Sequence, residues 1–167
     1  MVSHHEISLD EHRAWFQRLQ QDPSRILDGC FAELHALLDT CYPRPPRDVF
    51  YRFIERYRPG FPAWIARSAD QQIIGFVHLA PNSKGGTLET LAVHPAHRGQ
   101  GLARTLVQCL LDKTQGVISL TTRIPDFFSA LSFESICTLP DQSVLMIQVR
   151  FGQPYPLTRE ARQADRW

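Results

Sequence analysis

The stretch TLETLAVHPAHRGQGLARTLVQCLLDK, Thr87 to Lys113, decides how the rest of the chain is read. It divides into three parts. Leu88–Val93 reads as a strand with Glu89 inside it. Pro95 marks a turn, and the basic, glycine-bearing loop Arg98-Gly99-Gln100-Gly101 follows. Leu102, Ala103, Leu106, Val107, Leu110 and Leu111 then recur as adjacent pairs four apart, which is one apolar face of a helix. A strand that passes through glycines into a helix N-terminus builds an anion site. The first backbone N–H groups of a helix have no partner within it, and the helix dipole is positive there. Gly99 and Gly101 let backbone approach a phosphate closely, and Arg98 and Arg104 add positive charge. The loop is not GxGxxG and lacks the lysine-hydroxyl ending of a P-loop, so dinucleotide binding and nucleoside triphosphate hydrolysis fit poorly. A pyrophosphate that is held but not cleaved suits it.

Around this stretch the bulk properties are those of one soluble domain spanning residues 1–167, long enough to bury a core. A net charge of +1 gives no support to a nucleic-acid or membrane-surface role, so neither partner is expected. No apolar run approaches the roughly 20 residues of a membrane helix. The opening MVSHHEISLDEH lacks the apolar region of a signal peptide, so a cytoplasmic protein is expected, a monomer or homodimer. Its His4-His5 pair reads as a flexible end. Cys30, Cys41, Cys109 and Cys137 form no CxxC pair and read as buried reduced thiols. No Cys/His cluster has ligand spacing, so no metal is expected.

Working outward, residues 10–20 suit a short helix. Asp22-Pro23-Ser24 is a helix start, and Ile26, Leu27, Cys30, Phe31, Leu34, Leu37, Leu38 and Cys41 continue it at helical spacing. Tyr42-Pro43-Arg44-Pro45-Pro46 is a loop. Asp48–Tyr57 reads as another helix with Val49, Phe50, Phe53, Ile54 and Tyr57 on its apolar face. Phe61–Ser68 and Gln72–Ala80 read as strands joined around Ala69-Asp70, the second buried on both faces. A flexible turn, Pro81–Gly86, leads into the Leu88 strand, so three strands form an antiparallel meander. Gly116 is placed as the cap ending the glycine-loop helix. Val117–Thr121 is a further strand, Ile124-Pro125-Asp126 starts a brief helix, Phe127–Leu131, and Ser143–Val149 is the final strand. Residues 152–167 are a polar, proline-bearing tail. The order is α+β (mixed α/β), not a doubly wound unit.

The segment LAVHPAHRGQGLARTLV resembles the acetyl-CoA-binding signature of the GNAT N-acetyltransferase superfamily, in which an Arg/Gln-x-x-Gly-x-Gly/Ala loop follows a strand and a Val-x-Pro turn. Here it stands as Val93-x-Pro95 and Arg98-x-x-Gly101-x-Ala103. TTRIPDFFSALSF is similar to the family's later strand and short helix. The resemblance covers about half the chain, Ile73 to Val149. It implies the GNAT fold: a central, mostly antiparallel mixed sheet flanked by helices, with splayed fourth and fifth strands. It implies acetyl-CoA as co-substrate, with Arg98, Gly99, Gln100, Gly101, Leu102, Ala103 and Arg104 around the CoA pyrophosphate. It further implies that the backbone of Leu91, Ala92 and Val93 pairs with the pantetheine arm. Residues 1–60 would supply helices forming part of the acceptor site. Two departures stand out: Phe128 where the family often has a tyrosine acting as general acid, and Ser132 in place of glycine. Thr121-Thr122-Arg123 followed by that phenylalanine is similar to the acetyltransferase domain of N-acetylglutamate synthases. The amino-acid-kinase domain of many of them has no counterpart in this sequence.

An alkyl ammonium with a pKa near 10.4 has no lone pair at pH 7, so transfer to an amine needs a base. Glu89 is the candidate, placed by strand alternation on the side of Leu91 and Val93. The alternative is an ordinary strand glutamate. His78 and His94 are rival bases. Arg123 suits a carboxylate of the acceptor; the alternative is a surface arginine or a helix-end partner for Asp126. Phe50 and Tyr57 suit either the acceptor wall or the core. The expected activity is acetyl transfer from acetyl-CoA to a primary amine of a small molecule, such as an amino acid or another carboxylated amine. The competing readings are acetylation of protein N-termini or lysines, and a CoA-binding regulatory module with a disabled site.

Overall fold

The computed structural model describes residues 3–6, 30–42 and 63–151. In chain order these form β1 (Ser3–Glu6), α1 (Cys30–Cys41), β2 (Ala63–Arg67), β3 (Ile73–Asn82) and β4 (Gly85–Val93). A 3-10 turn (Pro95–His97), α2 (Leu102–Asp112), β5 (Gly116–Thr122), α3 (Pro125–Ser129), β6 (Glu134–Thr138) and β7 (Val144–Arg150) follow. The described strands make one sheet in the order β1-β2-β3-β4-β5-β7-β6. Neighbours are antiparallel throughout, except β4 and β5, which run parallel. The mixed sheet and the β2-β3-β4 meander match the expectation.

Burial explains why α2 lies where it does. Leu102, Leu106, Val107, Leu110 and Leu111 are all buried, and they join Trp64, Ala66, Val77, Leu79, Leu88 and Val93 in one core cluster. Each such side chain contributes about 1.5–3 kcal/mol on leaving water. The sheet's other face carries Ile65, Phe76 and Ala92, all buried. Helix α1 packs on β3 and β4, with Leu34, Leu37 and Leu38 buried outside the α2 cluster, which puts it on that second face. Its Glu33 carboxylate accepts from Arg67 at 2.9 Å and from the Ile73 N–H at 3.3 Å, fixing the helix to the β2–β3 turn.

Several expectations need correction. Ser3–Glu6 is not a flexible end; it pairs with β2, Ser3 opposite Arg67 and Glu6 opposite Trp64. The turn before β4 is only Ser83-Lys84, because Pro81 and Asn82 still pair with Gly86 and Gly85. Gly116 does not cap α2: Lys113 does, and Gly116 opens β5. The brief helix starts at Pro125, within the expected Ile124-Pro125-Asp126, but ends at Ser129, short of Leu131. β6 was not expected, and Cys137 on it is exposed rather than buried. The helices proposed for residues 10–20 and 48–57, the helix start at Asp22, the loop at 43–46 and the tail at 152–167 lie outside the described residues.

Candidate active site

The site begins where β4 and β5 part. They pair at only three positions, Gly85–Val117, Gly86–Ile118 and Thr87–Ser119. From Leu88 onward β4 has no β5 partner, although β5 continues to Thr122 against β7. The closed end is set by backbone contact. The Val117 N–H donates to the Lys84 carbonyl at 2.7 Å, and a Cβ on Gly116 (φ +86°) would sit 2.2 Å from that same oxygen. Only glycine fits there.

The groups lining the gap follow from register. The His94 N–H donates to the Ile74 carbonyl at 2.8 Å, which makes the Gly75–Val93 pair one whose backbone groups point away from each other. Val93, and Leu91 two residues back, therefore direct N–H and C=O off β3 into the gap. Three side chains reach those carbonyls. The Tyr42 hydroxyl donates to Leu91 at 2.7 Å, the Cys41 thiol to Val93 at 3.3 Å, and Arg98 Nε to Val93 at 3.0 Å. The C-terminal end of α1 thus lies along the open edge of β4. Burial pushes the Tyr42 hydroxyl above the ordinary phenol range and the Cys41 thiol above its own, Arg98 opposing the latter in part. In sequence Tyr42 is only the first residue of a proline loop, and nothing local marks its contact across 49 residues.

The glycine loop leaves β4 at its open end. Gly99 and Gly101 sit at φ +74° and +78°, and a Cβ at either would meet nothing within 4 Å. Backbone conformation, not crowding, is what calls for glycine. Gly101 is the N-cap of α2 and offers no side-chain cap to the helix's first N–H groups. Gly99, Gln100 and Gly101 are exposed, Leu102 is buried, and Arg98 and Arg104 are exposed cations on either side. Backbone donors at a helix start, an open loop and two guanidiniums suit a pyrophosphate, and an edge strand with outward N–H and C=O groups suits an amide-bearing chain. The residues present therefore fit CoA.

Glu89 is exposed, and its surroundings differ from simple alternation. His78 pairs with Thr90 and Leu79 with Leu88, so Glu89 is an extra residue in β4, a β-bulge. Leu88, Leu91 and Val93 consequently share the α2-facing core although Leu88 and Leu91 are three residues apart, so simple alternation does not hold across Glu89. The bulge sits just past the last β4–β5 pair, at the root of the gap. His78 is fully buried and stacked on Phe76 at 6.3 Å. His94 accepts the Ala96 N–H on Nδ1 at 3.3 Å, a turn-holding bond.

Arg123 follows β5, exposed, with its guanidinium 3.6 Å from Asp141 rather than facing Asp126. Asp141 is held below the usual carboxylate range by hydrogen bonds from the Ser143 hydroxyl and N–H, with Arg123 adding to it. Phe128 is buried, edge-on to Phe127 at 4.9 Å and to Phe133 at 5.6 Å. It is a core residue, with no hydroxyl to offer. Ser132 adopts φ +66°, the conformation a glycine would take freely. Phe50 and Tyr57 lie outside the described residues. Among the described residues no group of three or more His, Cys, Asp or Glu could hold a metal ion, and no helix is long and apolar enough to cross a membrane.

Residues 29–133, more than half of the chain, match the family model described as "Acetyltransferase (GNAT) family". The chain belongs to the GNAT acetyltransferase family. No curated protein matches it. Among solved structures, the ribosomal-protein-S18-alanine N-acetyltransferase from Escherichia coli is similar at TM-score 0.62 and 13% identity, covering 92% of this chain and 97% of that one. The aminoglycoside 6'-N-acetyltransferase from Enterococcus faecium gives 0.64 and 16%, covering 92% and 99%. A GNAT family N-acetyltransferase from Escherichia coli in complex with CoA gives 0.57 and 24%, covering 71% and 74%. At these identities the GNAT likeness is one of fold.

Proposed function

We propose that the chain transfers an acetyl group from acetyl-CoA to a primary amine of a small molecule. The observation that carries this reading is the continuity of one surface. The open edge of β4 leads directly from the bulge at Glu89, past Leu91 and Val93, to the glycine loop and the N-terminus of α2. Acetyl-CoA supplies the activated acyl group. Arg98 to Arg104 hold its pyrophosphate through backbone N–H groups and two cations. The N–H groups of Leu91 and Val93, aimed into the gap, stabilise charge developing on a carbonyl oxygen placed there.

Glu89 takes the proton of the ammonium, directly or through water. Its position at the bulge supports this role: Glu89 is an exposed extra residue, unpaired in the ladder, just past the last β4–β5 pair at the root of the gap. Solved enzymes of this fold act on a ribosomal-protein alanine and on aminoglycosides, so the fold leaves the acceptor open. Arg123 supports a carboxylated amine such as an amino acid. Its present partner, Asp141, is an exposed carboxylate 3.6 Å away, a weak bond that a bidentate substrate carboxylate outcompetes.

The test is release of CoA thiol by the purified protein across a panel of amino acids, aminoglycosides, polyamines and alanine-terminated peptides. Turnover with a free amino acid supports the reading. Saturable acetyl-CoA binding with no thiol release on any amine sinks it and leaves a CoA-binding module.

A further inference from the structure

Breaking a thioester leaves a thiolate, which ends as a thiol. Phe128, at the place of the family's tyrosine, is buried among Phe127 and Phe133 and carries no proton to give. The described residues hold a phenol elsewhere. Tyr42, at the end of α1, puts its hydroxyl 2.7 Å from the Leu91 carbonyl, on the edge of β4 that faces away from β3. We propose that Tyr42 is the proton donor to the departing CoA sulfur, replacing from α1 the hydroxyl that α3 lacks. This rests on the acetyl-transfer reading above.

Position supports it first. The pyrophosphate loop lies at the C-terminal end of β4, so an arm running back along the open edge passes Val93 and then Leu91, at about 3.3 Å per residue. Tyr42 stands at the second of these carbonyls, between the loop and the bulge at Glu89. The arrangement of the neighbours supports it second. Cys41 and Arg98 both donate to the Val93 carbonyl, which holds the end of α1 against the edge and fixes the tyrosine's place. A hydroxyl hydrogen rotates about its C–O bond, so the proton now given to Leu91 can turn to a sulfur beside it. Half-burial keeps the phenol protonated through the neutral range, as a donor must be.

The step balances. The amine nitrogen forms its bond to the acetyl carbon, and the C–S bond breaks with its electron pair on sulfur. The Tyr42 proton goes to sulfur. Of the two protons the ammonium loses, one leaves through Glu89 to water and the second restores the Tyr42 phenol.

The test needs no acceptor. Binding of CoA and of desulfo-CoA, which lacks the thiol, is measured by calorimetry at pH 7 and pH 9 for the wild type and Tyr42→Phe. At pH 9 most of a free thiol with a pKa of about 8.5 is thiolate. A hydroxyl that meets the sulfur makes a charge-assisted hydrogen bond, so Tyr42→Phe loses about tenfold or more in CoA affinity at pH 9 and under twofold for desulfo-CoA. The unchanged desulfo-CoA affinity shows that the variant is folded. Equal effects of the substitution on both ligands, or none on either, overturn the assignment while leaving CoA binding and acetyl transfer standing. A wild type that binds neither ligand overturns both.

Discussion

The hydroxyl of Tyr42 and the carbonyl of Leu91 meet at 2.7 Å, joining the end of α1 to the open edge of β4 across 49 residues. The bond exists only while the phenol keeps its proton, and burial raises that pKa. In the unfolded chain a tyrosine ionises near pH 10. The fold therefore has its full benefit below pH 10 and loses it as pH rises through the higher folded value. Melting temperature falls above pH 10, and Tyr42→Phe makes that fall shallower. Thermal melts at pH 8, 10 and 11 read it, and parallel curves for the two proteins would mean that Tyr42 does not titrate as placed.

Glu89→Gln removes the base and keeps the shape of the bulge. Turnover falls by about 10²–10⁴-fold if Glu89 takes the amine proton. CoA affinity holds, because the loop and the β4 edge are untouched. Steady-state kinetics beside a CoA titration separates the two quantities, and unchanged turnover removes Glu89 from the mechanism.

Gly101 caps α2 at φ +78° with open space around it. A Cβ there meets nothing within 4 Å, yet this conformation costs an L-residue about 1–2 kcal/mol, and valine's branch adds to the strain. The loop relaxes, the first N–H groups of α2 lose their aim, and CoA affinity drops about tenfold, the equivalent of 1.4 kcal/mol. Gly101→Asn is milder, since asparagine visits the left-handed region. Equal CoA binding by all three proteins would show that the pyrophosphate lies elsewhere.

Two positions with positive φ respond in opposite senses. Gly116→Ala puts a Cβ 2.2 Å from the Lys84 oxygen and forces β4 and β5 apart at their closed end. A loss of about 3 kcal/mol, or roughly 6–12 °C in Tm, is expected. Ser132→Gly relieves the backbone at φ +66° and gains about 0.5–1 kcal/mol. Differential scanning calorimetry on both variants measures the pair, and a destabilised Ser132→Gly would show that the serine side chain supports the turn.

What the sequence reveals is local, and what it hides is paired. The apolar stripe of α2 and the glycines at its start lie within a dozen residues, so periodicity and a positive-φ loop are legible together. Strand β6 is not, because all five of its residues are exposed and only pairing with β7 makes it a strand. The bulge at Glu89 is equally hidden. Alternation along β4 assigns sides by counting, but the register against β3 breaks that count at Glu89. Tyr42 is the clearest case: its neighbours in sequence are prolines and a helix end, and its partner lies in another element.

The most direct test of the central claim, that the β4 edge and the start of α2 form one cradle for CoA, is an amide proton–nitrogen NMR titration of the protein with CoA. If the cradle is one, the amide signals of Leu91, Val93 and Arg98 to Ala103 shift together and saturate together, with β6 and β7 unmoved. Saturating shifts confined to other elements, or no shifts at a CoA concentration that saturates other GNAT acetyltransferases, would contradict it.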